Sequence, residues 1–256
     1  MIFYFSATGN SQHVAERIAG ELGEKLISMG VAMRDGHFDY DVSKDKYVGF
    51  VCPTFAYTLP GIVAEFIEKL NLTGLDGQYV FGAFTCGAAS GGECAALGMA
   101  LAAKGIGYNG SFDIVMPDNY IVWSNVPSEA VLTRRLAAAD QVIDGIIEAI
   151  KAGKNGHTDG KAPEMPFLPY GEIDSDRGVG NLYADDNCTG CGQCAEMCPM
   201  GAISVVDGRA KFKGQCCVCF TCLHRCPSHA VQHGRDTQNK GRYVHPEAKF
   251  RTRNDY

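Results

Sequence analysis

The chain has 256 residues, which is enough for one sizeable hydrophobic core and a smaller second unit. Residues 1–152 carry 10 Lys+Arg against 17 Asp+Glu, and residues 153–256 carry 13 against 12. The acidic first part argues against nucleic acid as a partner. The sequence opens without a basic leader or a cleavage site, and no apolar run approaches the ~20 residues that span a bilayer. We therefore expect neither a signal peptide nor a membrane span.

Short apolar runs alternate with amphipathic segments over residues 1–152. Strands that alternate with helices build a parallel sheet covered on both faces, so the pattern predicts an α/β domain. Five strands suit a doubly wound sheet of order 2-1-3-4-5. The predicted strands are Met1–Phe5, Lys25–Met29, Tyr47–Cys52, Tyr79–Thr85 and Phe112–Met116. The predicted helices are Asn10–Leu22, Ile62–Leu70, Glu93–Lys104 and Ser128–Ile150.

A polar loop follows the first predicted strand and leads into the first predicted helix. Hydroxyl groups and backbone N–H groups at a helix N-terminus form a cradle for phosphate, because the helix end offers unpaired donors and a positive dipole. The loop has no lysine and no G-x-G-x-x-G pattern, which excludes a Walker P-loop and a dinucleotide turn. A helix-capping cluster is the alternative, because Ser, Thr and Asn also cap helices. The candidate phosphate ligands are Ser6, Thr8, Gly9, Asn10 and Ser11.

This loop resembles the phosphate-binding loop of flavodoxins, which holds the phosphate of FMN with hydroxyl and amide groups. The resemblance implies a flavodoxin-like fold with FMN at the carboxyl ends of the strands. It also implies that Phe55 or Tyr57 lines the isoalloxazine ring, and that small residues after the fourth strand let backbone amides approach it. Core packing is the alternative for the two aromatic residues, and simple loop geometry is the alternative for the glycines. The implied contacts beyond the phosphate are Pro53, Thr54, Phe55, Ala56, Tyr57, Cys86, Gly87, Ala88 and Gly92.

Residues 188–227 carry the same cysteine spacing twice. Each copy reads C-x2-C-x2-C-x3-C-P, which is the pattern of bacterial-type 4Fe-4S sites. Three closely spaced cysteines wrap three corners of a cubane, and the fourth cysteine ligates the other cluster. The proline after each fourth cysteine turns the chain away, because it cannot donate an N–H. The predicted ligands are Cys188, Cys191, Cys194 and Cys226 for one cluster, and Cys198, Cys216, Cys219 and Cys222 for the other.

Zinc and disulfides are the alternatives for these cysteines. Zinc sites usually pair two CxxC motifs across a longer loop, and disulfide scaffolds are usually short secreted chains. The segment of residues 185–235 resembles the two-cluster bacterial ferredoxins, which implies a small α+β domain with two 4Fe-4S clusters. Thiolate ligands and clusters tolerate oxidation poorly, so we expect a reducing, cytoplasmic setting.

The whole chain resembles the flavodoxin–ferredoxin fusion proteins of the EFR1 type. The implied organisation is an FMN-binding flavodoxin-like domain at residues 1–152, a linker rich in Gly and Pro at 153–183, a ferredoxin domain at 184–235 and a basic tail at 236–256. The family resemblance implies that single electrons pass between two 4Fe-4S clusters and FMN.

Two interpretations of this electron transfer stay open. In the first, the protein is an oxidoreductase that reduces a small molecule or a quinone at the flavin. In the second, it is a non-catalytic carrier between redox proteins. The short loops of small residues favour the first, and both require a redox protein as donor or acceptor. The sequence indicates neither the catalytic residues nor the oligomeric state, and it carries no fingerprint for NAD(P)H.

Overall fold

The computed structural model describes residues 1–157, 161, 163–173 and 181–249. The predicted linker and the predicted tail therefore lie partly outside the described residues. The strands are β1 (Ile2–Tyr4), β2 (Leu26–Ser28), β3 (Asp39–Asp41), β4 (Tyr47–Pro53), β5 (Leu59–Pro60), β6 (Asn71–Thr73), β7 (Tyr79–Cys86), β8 (Ser111–Val115), β9 (Phe167–Leu168), β10 (Gly171–Glu172), β11 (Leu182–Ala184), β12 (Ile203–Val206), β13 (Arg209–Phe212), β14 (Gln215–Cys216) and β15 (Val231–His233). The helices are α1 (Asn10–Leu22), α2 (Met29–Asp35), α3 (Gly61–Lys69), α4 (Glu93–Ala103), α5 (Glu129–Lys151), α6 (Gln193–Met197) and α7 (Thr221–His224).

A five-stranded parallel sheet organises the first part of the chain. Its order is β2-β1-β4-β7-β8, and all four neighbouring pairs are parallel. Counted within this sheet, the order is 2-1-3-4-5, so the predicted doubly wound fold is confirmed. The residues of β4 from Tyr47 to Cys52 are all buried. Burial of consecutive residues shows that both faces of the sheet are covered, which explains the continuous apolar runs.

The predicted elements of this sheet form within one residue of their expected ends. Helix α2 is an addition, because its seven residues are too few to show a helical pattern in the sequence. Ser28 caps it by accepting a hydrogen bond from the N–H of Val31 at 3.3 Å, and Gly36 ends it in the left-handed region. In the described part of the chain, no helix has both the length and the apolar character that a membrane span requires.

The chain divides into two compact units. The first contains Met1–Ser6, Asn10–Pro117 and Glu129–Leu168. The second contains Ala7–Gly9, Asp118–Ser128 and the residues from Pro169 onward. Three residues of the polar loop after β1 therefore pack with the second unit, although their neighbours in sequence belong to the first.

One layer of the first unit's core lies between the sheet and helices α1 and α5. Val14 and Ile18 of α1 are fully buried against it, and so is Ile143 of α5. These positions recur at helical spacing, so one face of each helix meets the apolar sheet while the other faces solvent. This burial of large aliphatic side chains holds the strand ends, and the loops that leave them, in fixed positions.

The second unit is built from short antiparallel pairs and two short helices. Strand β11 pairs with β15, β12 with β13, and β10 with β14. Its core mixes ordinary apolar side chains with candidate cluster ligands: Ile121, Leu182, Cys194, Ile203, Ala210, Phe220, Cys222, Leu223 and Val231. The region thus has the α+β character expected of a ferredoxin-like domain.

Candidate functional site

The predicted phosphate loop lies between β1 and α1. Ser6 is half-buried, and Asn10 and Ser11 are the first two residues of α1. Thr8 is almost fully buried, and Gly9 has a φ of +104°. That conformation is strained for residues with a side chain, so glycine is needed at this turn into the helix.

The first turn of α1 is tied to the carboxyl ends of two neighbouring strands. The side-chain amide of Asn10 donates to the carbonyl oxygen of Pro117, just beyond β8, at 3.1 Å. The hydroxyls of Ser11 and of Thr85 on β7 lie 2.7 Å apart in a hydrogen bond. These contacts hold the start of the helix at the sheet edge where ligands of doubly wound folds bind.

The middle of the loop is held by residues of the second unit. Thr8 accepts hydrogen bonds at its carbonyl oxygen from the N–H of His245 (2.8 Å) and at its hydroxyl from the side chain of Asn119 (2.5 Å). The side chain of Arg225 donates to the carbonyl oxygen of Ala7 at 3.2 Å. A Cβ atom on Gly9 would overlap that of Ala248. No local sequence pattern points to these long-range partners.

The loop after β4 makes a tight two-residue turn. The N–H groups of Phe55 and Thr58 each donate to the other's carbonyl oxygen at 3.0 Å. Between them, Ala56 and Tyr57 have φ values of +48° and +64°. Left-handed backbone at a residue other than glycine costs about 1–2 kcal/mol, and such strain concentrates at functional sites.

This turn separates the two aromatic candidates for the flavin ring. Phe55 is half-buried and meets Phe5 edge-on, with the ring centroids 6.4 Å apart. Tyr57 is 64% exposed. Tyr57 is therefore the side chain that the strained turn presents at the surface, while Phe55 contributes to packing beneath it.

The loop after β7 packs directly on the turn that carries Tyr57. Gly92 donates its N–H to the carbonyl oxygen of Tyr57 at 2.9 Å. A Cβ atom on Gly91 would lie 2.5 Å from that of Tyr57, and the φ of Gly91 is +67°. Gly87 is half-buried and Ala88 exposed. Small residues at this point allow the loop after β4 and the loop after β7, the two loops predicted to line the flavin ring, to pack against each other.

The predicted contacts at the strand ends are less accessible. Pro53 is the last residue of β4 and lies opposite Thr85 in the register of the sheet. Cys86 is the last residue of β7 and is 6% exposed. Burial, together with smaller contributions from the carboxyl groups of Asp113 and Glu93, raises the pKa of Cys86 to about 12. The thiol of Cys86 is therefore neutral near pH 7.

Glu93 is a buried acid that the sequence analysis assigned only to a helix. Its side chain is fully buried at the first position of α4. One carboxyl oxygen is hydrogen-bonded to the hydroxyl of Thr54, and the other accepts from the thiol of Cys52 at 3.3 Å. Burial holds the pKa of Glu93 well above its usual value. The available signal was a single charged residue in an otherwise apolar helix, Glu93–Ala103.

The two cysteine copies share one backbone conformation. The second residue after the first cysteine has positive φ in both copies: Gly190 (+68°) and Val218 (+57°). The same holds for the residue that precedes each short helix and for the third residue after each fourth cysteine. Those pairs are Gly192 (+81°) with Phe220 (+55°), and Gly201 (+61°) with His229 (+53°). The repeated spacing thus produces a repeated fold of the chain.

One cavity of the second unit is lined by four candidate ligands. Its empty volume is about 380 Å³, part of which is open to solvent. The hydrogen bond from the thiol of Cys217 and other nearby groups lower the pKa of Cys219 to about 7. A thiol with such a pKa is readily available as a thiolate ligand. The candidate ligands that line the cavity are Cys198, Cys216, Cys219 and Cys222.

The other four cysteines are also near one another. Burial raises the pKa of Cys194 to about 11, and part of the rise comes from negative charge on three neighbours: Cys226, Cys191 and Cys188. The backbone N–H groups of Ala210 and Ala230 donate to the sulfurs of Cys188 (3.5 Å) and Cys226 (3.3 Å). Such hydrogen bonds to ligand sulfurs are among the factors that set cluster potentials.

These arrangements fit clusters in their chemistry. All twelve cysteines are free of disulfide bonds. In the described residues, no three His, Cys, Asp or Glu side chains gather around a point that one metal ion could fill. A 4Fe-4S cluster does not require this, because its four irons each take one thiolate. For FMN, the hydroxyls near a helix start, the small residues of the ring loops and the exposed Tyr57 provide the appropriate groups.

Two family models match parts of the chain. Residues 1–95 match the flavodoxin domain, and residues 183–204 match the 4Fe-4S binding domain. The second match covers the first of the two cysteine copies. No match was found among the curated proteins.

Solved structures resemble this chain at low identity. Rubredoxin oxygen:oxidoreductase from the anaerobe Desulfovibrio gigas is 19% identical over 59% of this chain and 35% of its own, with a TM-score of 0.37. The Flv1 flavodiiron core from Synechocystis sp. PCC6803 is 16% identical over 60% and 36%, with a TM-score of 0.34. Megasphaera elsdenii flavodoxin is 18% identical over 56% and 99%, with a TM-score of 0.34.

The cofactor assignment follows from the family matches rather than from these likenesses. A flavodoxin domain implies FMN, and a 4Fe-4S binding domain implies iron–sulfur clusters. The eight cysteines of the duplicated motif are enough for two clusters. The chain therefore combines an N-terminal flavodoxin domain with a C-terminal 4Fe-4S domain, and its chemistry is electron transfer that involves flavin and iron–sulfur centres.

Proposed function

We propose that this protein is an oxidoreductase of the flavodoxin–ferredoxin fusion type, in which two 4Fe-4S clusters exchange single electrons with FMN and the flavin reduces a small molecule or a quinone. A carrier that passes electrons between two redox proteins is the second candidate. We place the protein in the cytoplasm. The predicted segments 1–152, 153–183, 184–235 and 236–256 remain our proposal for its domain organisation.

The exposed turn at Tyr57 is the observation that favours an enzyme. Tyr57 is 64% exposed, and Ala88 on the neighbouring loop is exposed as well. A strained turn that holds an aromatic ring at the surface has a cost, which suggests a binding role for that ring. The exposed side chains of both loops leave this edge of the first unit accessible to a second molecule.

Each group of residues has its own role in this proposal. Thr8, Ser11 and the first N–H groups of α1 bind the FMN phosphate, and Tyr57 packs against the ring. The loop from Gly87 to Gly92 brings backbone amides to the polar end of the ring. When bound, FMN supplies the exchange between one-electron and two-electron chemistry. The two sets of four cysteines hold the clusters, and the cavity shared by the second set supports that division.

The primary test is the cofactor content of anaerobically purified protein. We expect about eight irons, about eight acid-labile sulfides and one FMN per chain, with a flavin band superimposed on the broad absorbance of the clusters. Fully reconstituted protein that contains neither flavin nor labile sulfide would contradict the proposal. Zinc in place of iron would support the zinc alternative for the cysteines and a protein without redox activity.

A matched pair of variants tests the flavin loop. Tyr57→Ala removes a ring with 64% exposure, and Met99→Ala removes a side chain of the same unit with 55% exposure. Aromatic stacking contributes about 0.5–1.5 kcal/mol beyond area burial, so we expect FMN to bind Tyr57→Ala roughly tenfold more weakly. Met99→Ala is expected to bind like the wild type. Flavin fluorescence titration measures both, and equal affinities would remove Tyr57 from the site.

Turnover separates the enzyme from the carrier. Under anaerobic conditions with reduced ferredoxin as electron source, an oxidoreductase reduces a soluble quinone over many turnovers and faster than the same mixture without the protein. A carrier reduces added electron-transfer proteins but gives only stoichiometric reduction of quinones and other small acceptors. The second outcome would replace the enzyme by the carrier while leaving the cofactor assignment intact.

A further inference from the structure

A carboxyl group is buried beneath the two loops proposed to hold the flavin ring. Glu93 has no exposed surface, and its carboxyl group contacts the hydroxyl of Thr54 and the thiol of Cys52. Thr54 is the first residue of the loop after β4, which carries Tyr57. Glu93 directly follows the loop after β7, which carries Gly91 and Gly92. All of these residues belong to the first unit. No salt bridge to Glu93 occurs in the part of the chain that the structure describes.

The surroundings of this carboxyl group favour its neutral form. Burial raises the pKa of Glu93 well above its usual value, hydrogen bonds from Thr54 and Cys52 lower it, and the charge of Asp113 raises it. The thiols of Cys52 and Cys86 face the same region, and burial raises the pKa of both. His157 lies 3.3 Å from Asp113 and adds positive charge when protonated. Burial therefore favours the protonated form of Glu93 inside the first unit.

A proton is what flavin reduction needs and what the clusters do not supply. Iron–sulfur clusters transfer electrons, whereas the two-electron reduction of a flavin also forms an N–H bond at ring nitrogen N5. A positioned acid accelerates such a transfer by about 10²–10⁴-fold. Solvent is the alternative source, but an acid held under the ring loops is positioned before the electrons arrive.

We infer that Glu93 is the proton donor for reduction of the flavin and that the hydroxyl of Thr54 relays the proton. The inference rests on the proposed function, because it places FMN at these loops. With both cofactors bound, reduced 4Fe-4S clusters would supply the two electrons. Glu93 would give its carboxyl proton to the hydroxyl of Thr54 as its own O–H bond breaks, and Thr54 would pass its hydroxyl proton on to N5 of the ring, where the new N–H bond would form. The carboxylate of Glu93 then takes a proton from solvent.

The hydrogen-bond pattern suits this relay. A neutral carboxyl group has one oxygen that accepts and one O–H that donates. The thiol of Cys52 donates to one oxygen of Glu93, and the hydroxyl of Thr54 is hydrogen-bonded to the other oxygen. In the relay, that second oxygen would carry the proton and donate it to Thr54. The hydroxyl hydrogen of Thr54 is then available for another acceptor. The backbone N–H of Thr54 donates to the carbonyl oxygen of Thr85 at 2.9 Å, which fixes its position at the end of β4.

A purely structural role for Glu93 is the alternative, and the Glu93→Gln variant distinguishes the two. Gln keeps the size and the hydrogen bonds of Glu93 but has no proton to give. Glu148→Gln is the matched control, because the Glu148 side chain is 75% exposed on α5. We expect both variants to bind FMN with affinities within about threefold of the wild type. Stopped-flow reduction of bound FMN by dithionite is expected to slow about 10²-fold in Glu93→Gln alone.

Time-resolved infrared spectroscopy gives a readout that does not depend on turnover. After photoreduction of bound FMN, the C=O band of a protonated carboxyl group should disappear and recover in the wild type and in Glu148→Gln. That signal should be missing in Glu93→Gln. A band that stays constant while the flavin is reduced would overturn the inference, and so would an unchanged rate in Glu93→Gln.

Thr54 variants provide a second test that leaves Glu93 in place. Thr54→Val removes the hydroxyl with little change in shape and should slow reduction, whereas Thr54→Ser keeps the hydroxyl and should restore the rate. Reduction of Thr54→Val at the wild-type rate would exclude the relay. Wild-type protein that binds no FMN would defeat the proposed function itself, whereas bound FMN with no carboxyl signal would defeat only the role of Glu93.

Discussion

The two copies of the cysteine motif adopt the same backbone with different residues. At the three positions of positive φ, the first copy has glycine each time. The second copy has a β-branched residue, an aromatic residue and a histidine. The matched pairs are Gly190 with Val218, Gly192 with Phe220, and Gly201 with His229.

This difference indicates that the second copy is held in its conformation by its surroundings. Left-handed backbone costs about 1–2 kcal/mol per residue with a side chain, and a β-branched residue such as Val218 is rarely found there. Some compensation is visible. Phe220 is buried, with its ring 5.6 Å from that of Tyr120, and the N–H of Val218 donates to the sulfur of Cys216 at 3.3 Å. We expect ligation of its cluster to supply the rest.

Loss of one ligand from the second copy is the strongest test of this comparison. Cys219→Ser should reduce the iron content from about eight to about four per chain, because each cluster needs all its thiolates. Cys217→Ser changes a buried neighbour outside the motif and should keep about eight. Iron and sulfide analysis of anaerobic protein measures both.

A separate variant, Cys191→Ser, removes the corresponding ligand from the first copy and allows the two copies to be compared. Hydrogen exchange should show more loss of amide protection around Val218 in Cys219→Ser than around Gly190 in Cys191→Ser. Unfolding of the metal-free loop releases strain only in the second copy. Equal loss of protection in the two variants would mean that the glycines do not help the first copy to keep its conformation when its cluster is lost.

A crowded glycine in the first copy should give the next largest effect. A Cβ atom on Gly190 would overlap the carbonyl oxygen of Gly208, whereas a Cβ atom on Gly201 has no described atom within 4 Å. Gly190→Ala adds overpacking to conformational strain and should destabilise the second unit by about 2–4 kcal/mol. Gly201→Ala should cost about 1 kcal/mol. Anaerobic urea unfolding followed by cluster absorbance measures the difference, and equal losses would mean that backbone strain alone matters.

An exchange between matched positions should give the smallest effect, but with opposite signs. His229 and Gly201 are both exposed, so their substitution changes little packing. His229→Gly should stabilise the second unit by about 0.5–1 kcal/mol, because it relieves left-handed strain. Gly201→His should destabilise it by a similar amount. The same urea assay reports both, and two changes of the same sign would show that the copies do not differ in strain.

Regular patterns in the sequence were sufficient to predict the fold of the first unit and to identify the duplicated cysteine motif. Continuous apolar runs such as Tyr47–Cys52 and helical spacing in Asn10–Leu22 indicate elements that burial on a sheet requires. The strain at Val218 and Phe220 was not predictable, because nothing in their side chains favours positive φ. It became apparent only when the two copies were compared in the structure.

The candidate flavin site was predictable in outline only. The loops were identified because ligands bind at the carboxyl ends of parallel strands. Which aromatic residue is exposed depends on the turn at Ala56 and Tyr57, and the importance of Glu93 depends on burial by side chains from distant strands. Contacts between residues far apart in sequence leave no local pattern, so neither could be read from the sequence.

The packing around Gly9 also determines when the loop of residues 7–9 can reach its final packing during synthesis. Residues 7–9 leave the ribosome long before their partners His245 and Ala248 are translated. At ~5–20 residues per second, the delay is about 10–50 s. During that time the growing chain holds its first loop without these neighbours. The loop therefore reaches its final packing only after translation of His245 and Ala248. Any ligand that requires this packing can bind only after that point.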